Sequence, residues 1–136
     1  MLPSVSPTRA IVRRAVGRLR WSPTPPPVER WLVSCVAEND AKYLGQAVRF
    51  VQALRWFGGD AAGMRARVSV IDAVDPAART QLESLGAEVR VVPRFLARNP
   101  FANKLQAFLD PDWEEIDLFL LCDCDTLILQ DPRPFV

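Results

Sequence analysis

The chain has 136 residues, 17 basic against 16 acidic, and 49% of them are apolar; this is one globular domain or part of one, not a disordered or collagen-like chain. A net charge of +1 gives no global attraction to nucleic acid, and no nucleic-acid partner is expected. No apolar run approaches the ~18 residues of a membrane span, and three cysteines do not suggest a secreted disulfide framework, so a cytoplasmic setting is expected.

Residues 1–28 differ from the rest. They carry Arg9, Arg13, Arg14, Arg18 and Arg20, with no acid before Glu29. On a helical wheel Ile11, Val12, Ala15, Val16 and Leu19 fall opposite the arginines. Ser22-Pro23-Thr24-Pro25-Pro26-Pro27 can be neither helix nor central strand and forms a linker. Residues 1–28 are thus expected to be a mobile basic leader, and 29–136 the α/β domain. A second reading gives residues 9–20 a weak, peripheral contact with an anionic membrane surface.

From Glu29 onward strands and helices alternate. Residues 31–37 form an apolar run of strand length. Residues 41–57 place Leu44, Ala47, Val48, Val51, Leu54 and Phe57 at helical spacing, ended by Gly58-Gly59. Residues 68–72 make a second strand. Asp75 then caps a helix with Pro76 in its first turn, which carries Leu82 and Leu85 and stops at Gly86. Residues 88–92 make a third strand, stopped by Pro93. A short helix covers 102–109. Residues 117–122 make a fourth strand, apolar enough to be buried on both faces.

This alternation predicts a Rossmann-like, mainly parallel sheet with flanking helices and with the first and fourth strands adjacent. Such sheets bind ligands at the carboxyl ends of their strands, near the point where strand order switches. The residues in those places are Glu38-Asn39-Asp40, Asp72, Arg94 and Asp123-Cys124-Asp125.

Two carboxylates one residue apart repel each other unless a cation sits between them. Hard oxygen ligands favour Mn2+ or Mg2+, which keep open positions for substrate phosphates. The plain alternative is a solvated acidic turn. With no histidine in the chain, the commonest general base and zinc ligand are both missing, and no catalytic base is identified. Cys35 and Cys122 are expected inside strands as small apolar residues. Cys124, between two carboxylates, should be a poor nucleophile. Trp21, Trp31, Trp56 and Trp113 are expected to pack rather than to form a sugar platform.

Asp123-Cys124-Asp125-Thr126-Leu127-Ile128-Leu129, after Leu118-Phe119-Leu120-Leu121, resembles the metal-binding motif of GT-A fold glycosyltransferases, closest to the glycogenin-like family 8 type. Glu38-Asn39-Asp40 with Tyr43 and Gly45 resembles the segment that holds the nucleoside of the sugar nucleotide. Asn103-Lys104-Leu105 resembles the segment whose lysine contacts the donor diphosphate, and Asp131-Pro132 with Phe135 the turn that follows the motif. The resemblance covers about 31–136. It implies Asp123 and Asp125 as ligands of Mn2+ or Mg2+. It implies Val36, Ala37, Asn39, Tyr43, Lys104 and Cys124 as contacts of a nucleotide-diphospho-sugar of the UDP-sugar kind.

That family places a third metal ligand, a histidine, and its acceptor-site residues well after the acidic motif. This sequence has no histidine and continues eleven residues beyond Asp125. The resemblance therefore implies a truncated, donor-binding half that is inactive in isolation. Two alternatives stay open. One is a non-catalytic nucleotide-binding fragment. The other is a haloacid-dehalogenase-type phosphatase, although Thr126 follows Asp125 one position too early for that motif.

Overall fold

Four apolar runs become the strands β1 (Trp31–Ala37), β2 (Arg65–Ile71), β3 (Ala87–Val92) and β4 (Leu118–Leu121). The computed structural model describes residues 26–109 and 113–135; the basic stretch at 9–20 lies outside them. All four strands pair parallel in the order β3-β2-β1-β4, the Rossmann-like α/β arrangement expected, with β1 against β4. The chain steps outward from β1 to β3, then crosses back to the far side of β1. The strand order therefore switches between β1 and β4.

Helix α1 (Ala41–Phe57) follows its periodicity except in its last turn, where Phe57 and Trp56, both expected to pack, are exposed. Asp40 caps it by accepting from the Lys42 N–H at 2.8 Å, and Leu44, Ala47, Val48, Val51 and Leu54 are buried. Helix α2 (Pro76–Ser84) starts on Asp75, which accepts from the Ala78 N–H at 3.0 Å, with proline in the first turn. The stop after α1 demands glycine: a Cβ on Gly58 would lie 2.5 Å from the Leu54 carbonyl oxygen. Gly59 has φ +58, and a Cβ there would lie 3.2 Å from the Asp131 Cβ. The Arg55 guanidinium then donates to the carbonyls of Ala62, Met64, Leu85 and Gly86, so one side chain ties the loop before β2 to the loop before β3.

The two faces of the sheet are unlike. Trp31, Val33, Cys35 and Ala37 alternate with Leu32 and Ser34, and the first set joins Ala66, Val68, Val70 and Ala87 in an apolar core with α1. The other face carries Arg65, Arg67, Ser69 and Glu88. Arg67 is 2% exposed and donates to Glu88 at 2.9 and 2.6 Å; Arg65 donates to Glu88 at 3.1 Å. The chain between β3 and β4 crosses this second face as a 3-10 helix, Pro100–Phe108, against β1 and β2. Phe108 and Trp113 close over Phe119 of β4, with ring centroids 5.5 and 5.0 Å away.

Several sequence expectations need correction. β2 starts at Arg65, three residues earlier than expected, because two arginines that look like surface groups are held by Glu88. The helix expected at 102–109 is the 3-10 segment instead. β4 is not buried on both faces: all four of its residues are half-buried, because it pairs with β1 alone among the described strands. β1 and β2, each with a partner on both sides, are the enclosed strands. Cys122 lies just past β4, not inside it, though its N–H still donates to the Ser34 carbonyl at 2.9 Å. Of the expected leader and linker, Pro26 accepts from the Trp31 indole N–H at 2.8 Å, and Val28 packs on the core. Among the described residues no helix is long and apolar enough to cross a membrane.

Two predictions follow from these contacts. Gly59→Ala is expected to lower stability by about 1–2 kcal/mol, the cost of a left-handed backbone for an L-residue, read from the urea midpoint; an unchanged midpoint would refute the role given to this turn. The second concerns acid. Asp117 and Asp131 are held below their ordinary 3.8, chiefly by hydrogen bonds from Arg30 and Arg133 respectively. A carboxylate lowered on folding contributes stability that is present above its unfolded pKa and is lost as pH falls through the folded one. Urea midpoints should therefore fall as pH is lowered from about 5 through the ordinary carboxylate range and below it, and the fall should shrink in the double change Asp117→Asn and Asp131→Asn.

Candidate functional site

The carboxyl edge of the sheet gathers one polar residue from each strand end. Glu38 follows β1, Asp72 follows β2, Arg94 follows β3 and Asp123 follows β4. The first three form one network. Arg94 donates to both Glu38 carboxylate oxygens, at 3.0 and 2.7 Å, and through its backbone N–H and Nε to Asp72, at 3.1 and 3.2 Å. Asp72 takes φ +64, a left-handed conformation that aspartate tolerates better than most residues. Its own N–H donates to the Val92 carbonyl at 2.8 Å. The fork of Arg94 thus clamps the ends of β1, β2 and β3 together. The Glu38 carboxylate in turn raises the Arg94 pKa, so the cation is permanent.

Asn103 completes the network from the opposite face. It is 2% exposed; its amide donates to Glu38 at 2.9 Å and its oxygen accepts from the Phe95 N–H at 2.9 Å. This fixes the 3-10 segment against the end of β1. The next residue, Lys104, forms an ion pair with Asp123. Asp125 is exposed, and no side-chain hydrogen bond or ion pair engages it among the described residues. Between the two carboxylates, the half-buried Cys124 turns back to Gln46 of α1, its Sγ donating to Oε1 at 3.6 Å. Burial and the neighbouring Asp125 push this thiol up, so it stays protonated and a poor nucleophile. Burial pushes Cys35 up as well.

The other expected contacts divide into two groups. Ala37 is buried in the core at the end of β1, while Val36 is half-buried on the opposite face. Asn39 is exposed, but its oxygen accepts from the Asp75 N–H at 3.0 Å, so it engages the start of α2 and not the acidic turn. It borders a cleft of about 610 Å³ between the N-terminal halves of α1 and α2, lined also by Leu44, Gly45, Asp75, Ala78 and Gln81. Tyr43, partly exposed on the first turn of α1, has the Lys42 ammonium 5.3 Å from its ring centroid. Lys104 and Asp123 are therefore brought together, whereas Asn39 faces the cleft.

No three histidine, cysteine, aspartate or glutamate side chains gather as a metal cage among the described residues. Asp123 and Asp125 alone supply hard oxygen donors from one exposed turn. That set does not suit a closed zinc site; it does suit Mg2+ or Mn2+ shared with phosphate oxygens. The sequence marked Glu38, Asp72 and Arg94 as strand-end residues, and Glu38 as part of the nucleoside segment, but did not foresee the network that joins them. The available signal was positional, since each stands just beyond a strand end. Asn103 was marked only through its neighbour. The chain matches no model of a known protein family, and no curated protein matches it significantly.

The buried amide gives a prediction. Asn103→Ala strips partners from Glu38 and the Phe95 N–H, and should destabilise by about 1–3 kcal/mol. Hydrogen exchange should show the Phe95 amide losing protection while amides of α1 keep theirs; a protected Phe95 amide would refute the bridge.

Proposed function

We propose that this chain binds a nucleotide-diphospho-sugar as the donor site of a glycosyltransferase-type domain. The observation that carries the proposal is the place of Asp123 and Asp125. They stand at the carboxyl edge of a parallel sheet, beside the switch in strand order between β1 and β4, with a lysine against Asp123. Open α/β sheets put their ligands in this crevice, and a diphosphate is the ligand whose charge suits a carboxylate pair, a shared cation and an ammonium.

Asp123 and Asp125 would hold Mn2+ or Mg2+. A cation bound there neutralises the negative charge that develops on a diphosphate leaving group. Lys104 would supply a further positive charge to the same oxygens. Arg94, fully engaged by Glu38 and Asp72, holds the strand ends and with them the floor of the site. The nucleoside is assigned to the end of β1, where Asn39 and Tyr43 flank the start of α1 and Asn39 borders the cleft. The geometry of Lys104 supports the diphosphate, and the absence of a placed base leaves catalysis unassigned.

Calorimetry tests this. UDP should bind weakly with chelator and more tightly with Mn2+. The double change Asp123→Asn and Asp125→Asn should remove the metal-dependent part and leave the melting temperature within a few degrees, because both side chains are exposed. Equal UDP binding with Mn2+ and with chelator would overturn the donor-site proposal. Turnover of a generic phosphomonoester would favour the phosphatase alternative instead.

A further inference from the structure

Lys104 is one of two lysines in a chain with fifteen arginines. Its ammonium pairs with Asp123 and lies 5.9 Å from the centroid of the Phe101 ring. The backbone beneath it is fixed, because the adjacent Asn103 is bonded at both ends of its amide, to Glu38 and to Phe95. The side chain above is not. Lys104 is 41% exposed and Asp123 57% exposed, and so wet an ion pair holds its partners loosely. A four-carbon stem with a freely rotating ammonium can change partners with no movement of the backbone.

A divalent cation and an ammonium compete for the same carboxylate lone pairs and repel each other at short range. We infer that Lys104 is a built-in competitor for the cation at Asp123, one that yields only when a diphosphate arrives with the cation and offers the ammonium new anionic oxygens. The inference rests on the donor-site proposal and adds an order of assembly to it: cation and diphosphate enter as a unit. A cation arriving alone breaks the ion pair and leaves two positive charges side by side. A cation arriving with diphosphate gives the displaced ammonium anionic oxygens in place of Asp123. Lysine suits this exchange better than arginine, whose planar fork would lock onto the carboxylate in bidentate fashion.

The test is a Mn2+ titration of the full chain, followed by the electron paramagnetic resonance signal of the free ion, with and without UDP. Lys104→Gln should bind Mn2+ alone about fivefold more tightly, the factor an exposed ion pair is worth. The same variant should bind UDP in the presence of Mn2+ about tenfold more weakly, for loss of one charge-assisted contact. The gain for Mn2+ alone should vanish in an Asp123→Asn background. Lys104→Met, which keeps the apolar stem against Phe101, is the second variant should Lys104→Gln lose its native circular dichroism. The inference alone is overturned if both variants bind Mn2+ no more tightly than the wild type, or if the gain persists without Asp123. Failure of the wild-type chain to bind UDP with Mn2+ overturns the donor-site proposal and this inference with it.

Discussion

The position of β1 governs everything else at the carboxyl edge. It has a parallel partner on each side, and Trp31, Leu32, Val33 and Cys35 are fully removed from water. Backbone groups in such a strand have no solvent to turn to, so both neighbours must satisfy them. Leu32 pairs with Arg65 on one side and with Phe119 on the other, which sets β2 and β4 at a common level. Bonds from Arg30 to Asp117, at 2.5 and 2.9 Å, pin the starting end of the β1–β4 pair. With the starts aligned and all strands pointing one way, their ends emerge together, and residues far apart in sequence become neighbours there.

That edge carries charge in an ordered way. Arg94 sits between Glu38 and Asp72, and Lys104 sits against Asp123. The arginine is held by a bidentate fork and additional backbone geometry, so it behaves as a structural cation. The lysine has one charged partner and a flexible stem, so it behaves as a movable one. Two cations of equal formal charge thus differ in what they can do, because one is chelated and the other is only accompanied.

Much of the fold was legible from spacing alone. The apolar repeat of α1 and its glycine stop are local signals, and the structure keeps the expected bounds. The strand ends were legible too, and with them the list of residues that border the site. What stayed hidden depended on distant partners. Arg67 looks like a surface residue until Glu88 is placed beside it by the β2–β3 register. The Glu38–Arg94 and Glu38–Asn103 contacts span 56 and 65 residues, and no local pattern announces them. β4 misled in the opposite direction. Its unbroken apolar run suggested a central strand, whereas one of its faces meets the core and the other meets an aromatic cluster, all at an edge.

The unlike faces of the sheet also bear on how the chain avoids folding wrongly. Along a strand, a slip of one residue exchanges every inward side chain for its outward neighbour. In β2 such a slip would drive Arg65 and Arg67 into the layer now filled by Ala66, Val68 and Val70. It would strand two guanidinium groups away from Glu88 in an apolar environment, far costlier than a lost methyl contact. An all-valine β2 would be greasier and could slide. The paired arginines make mispaired registers expensive, so they act as a keying device that admits one alignment during collapse.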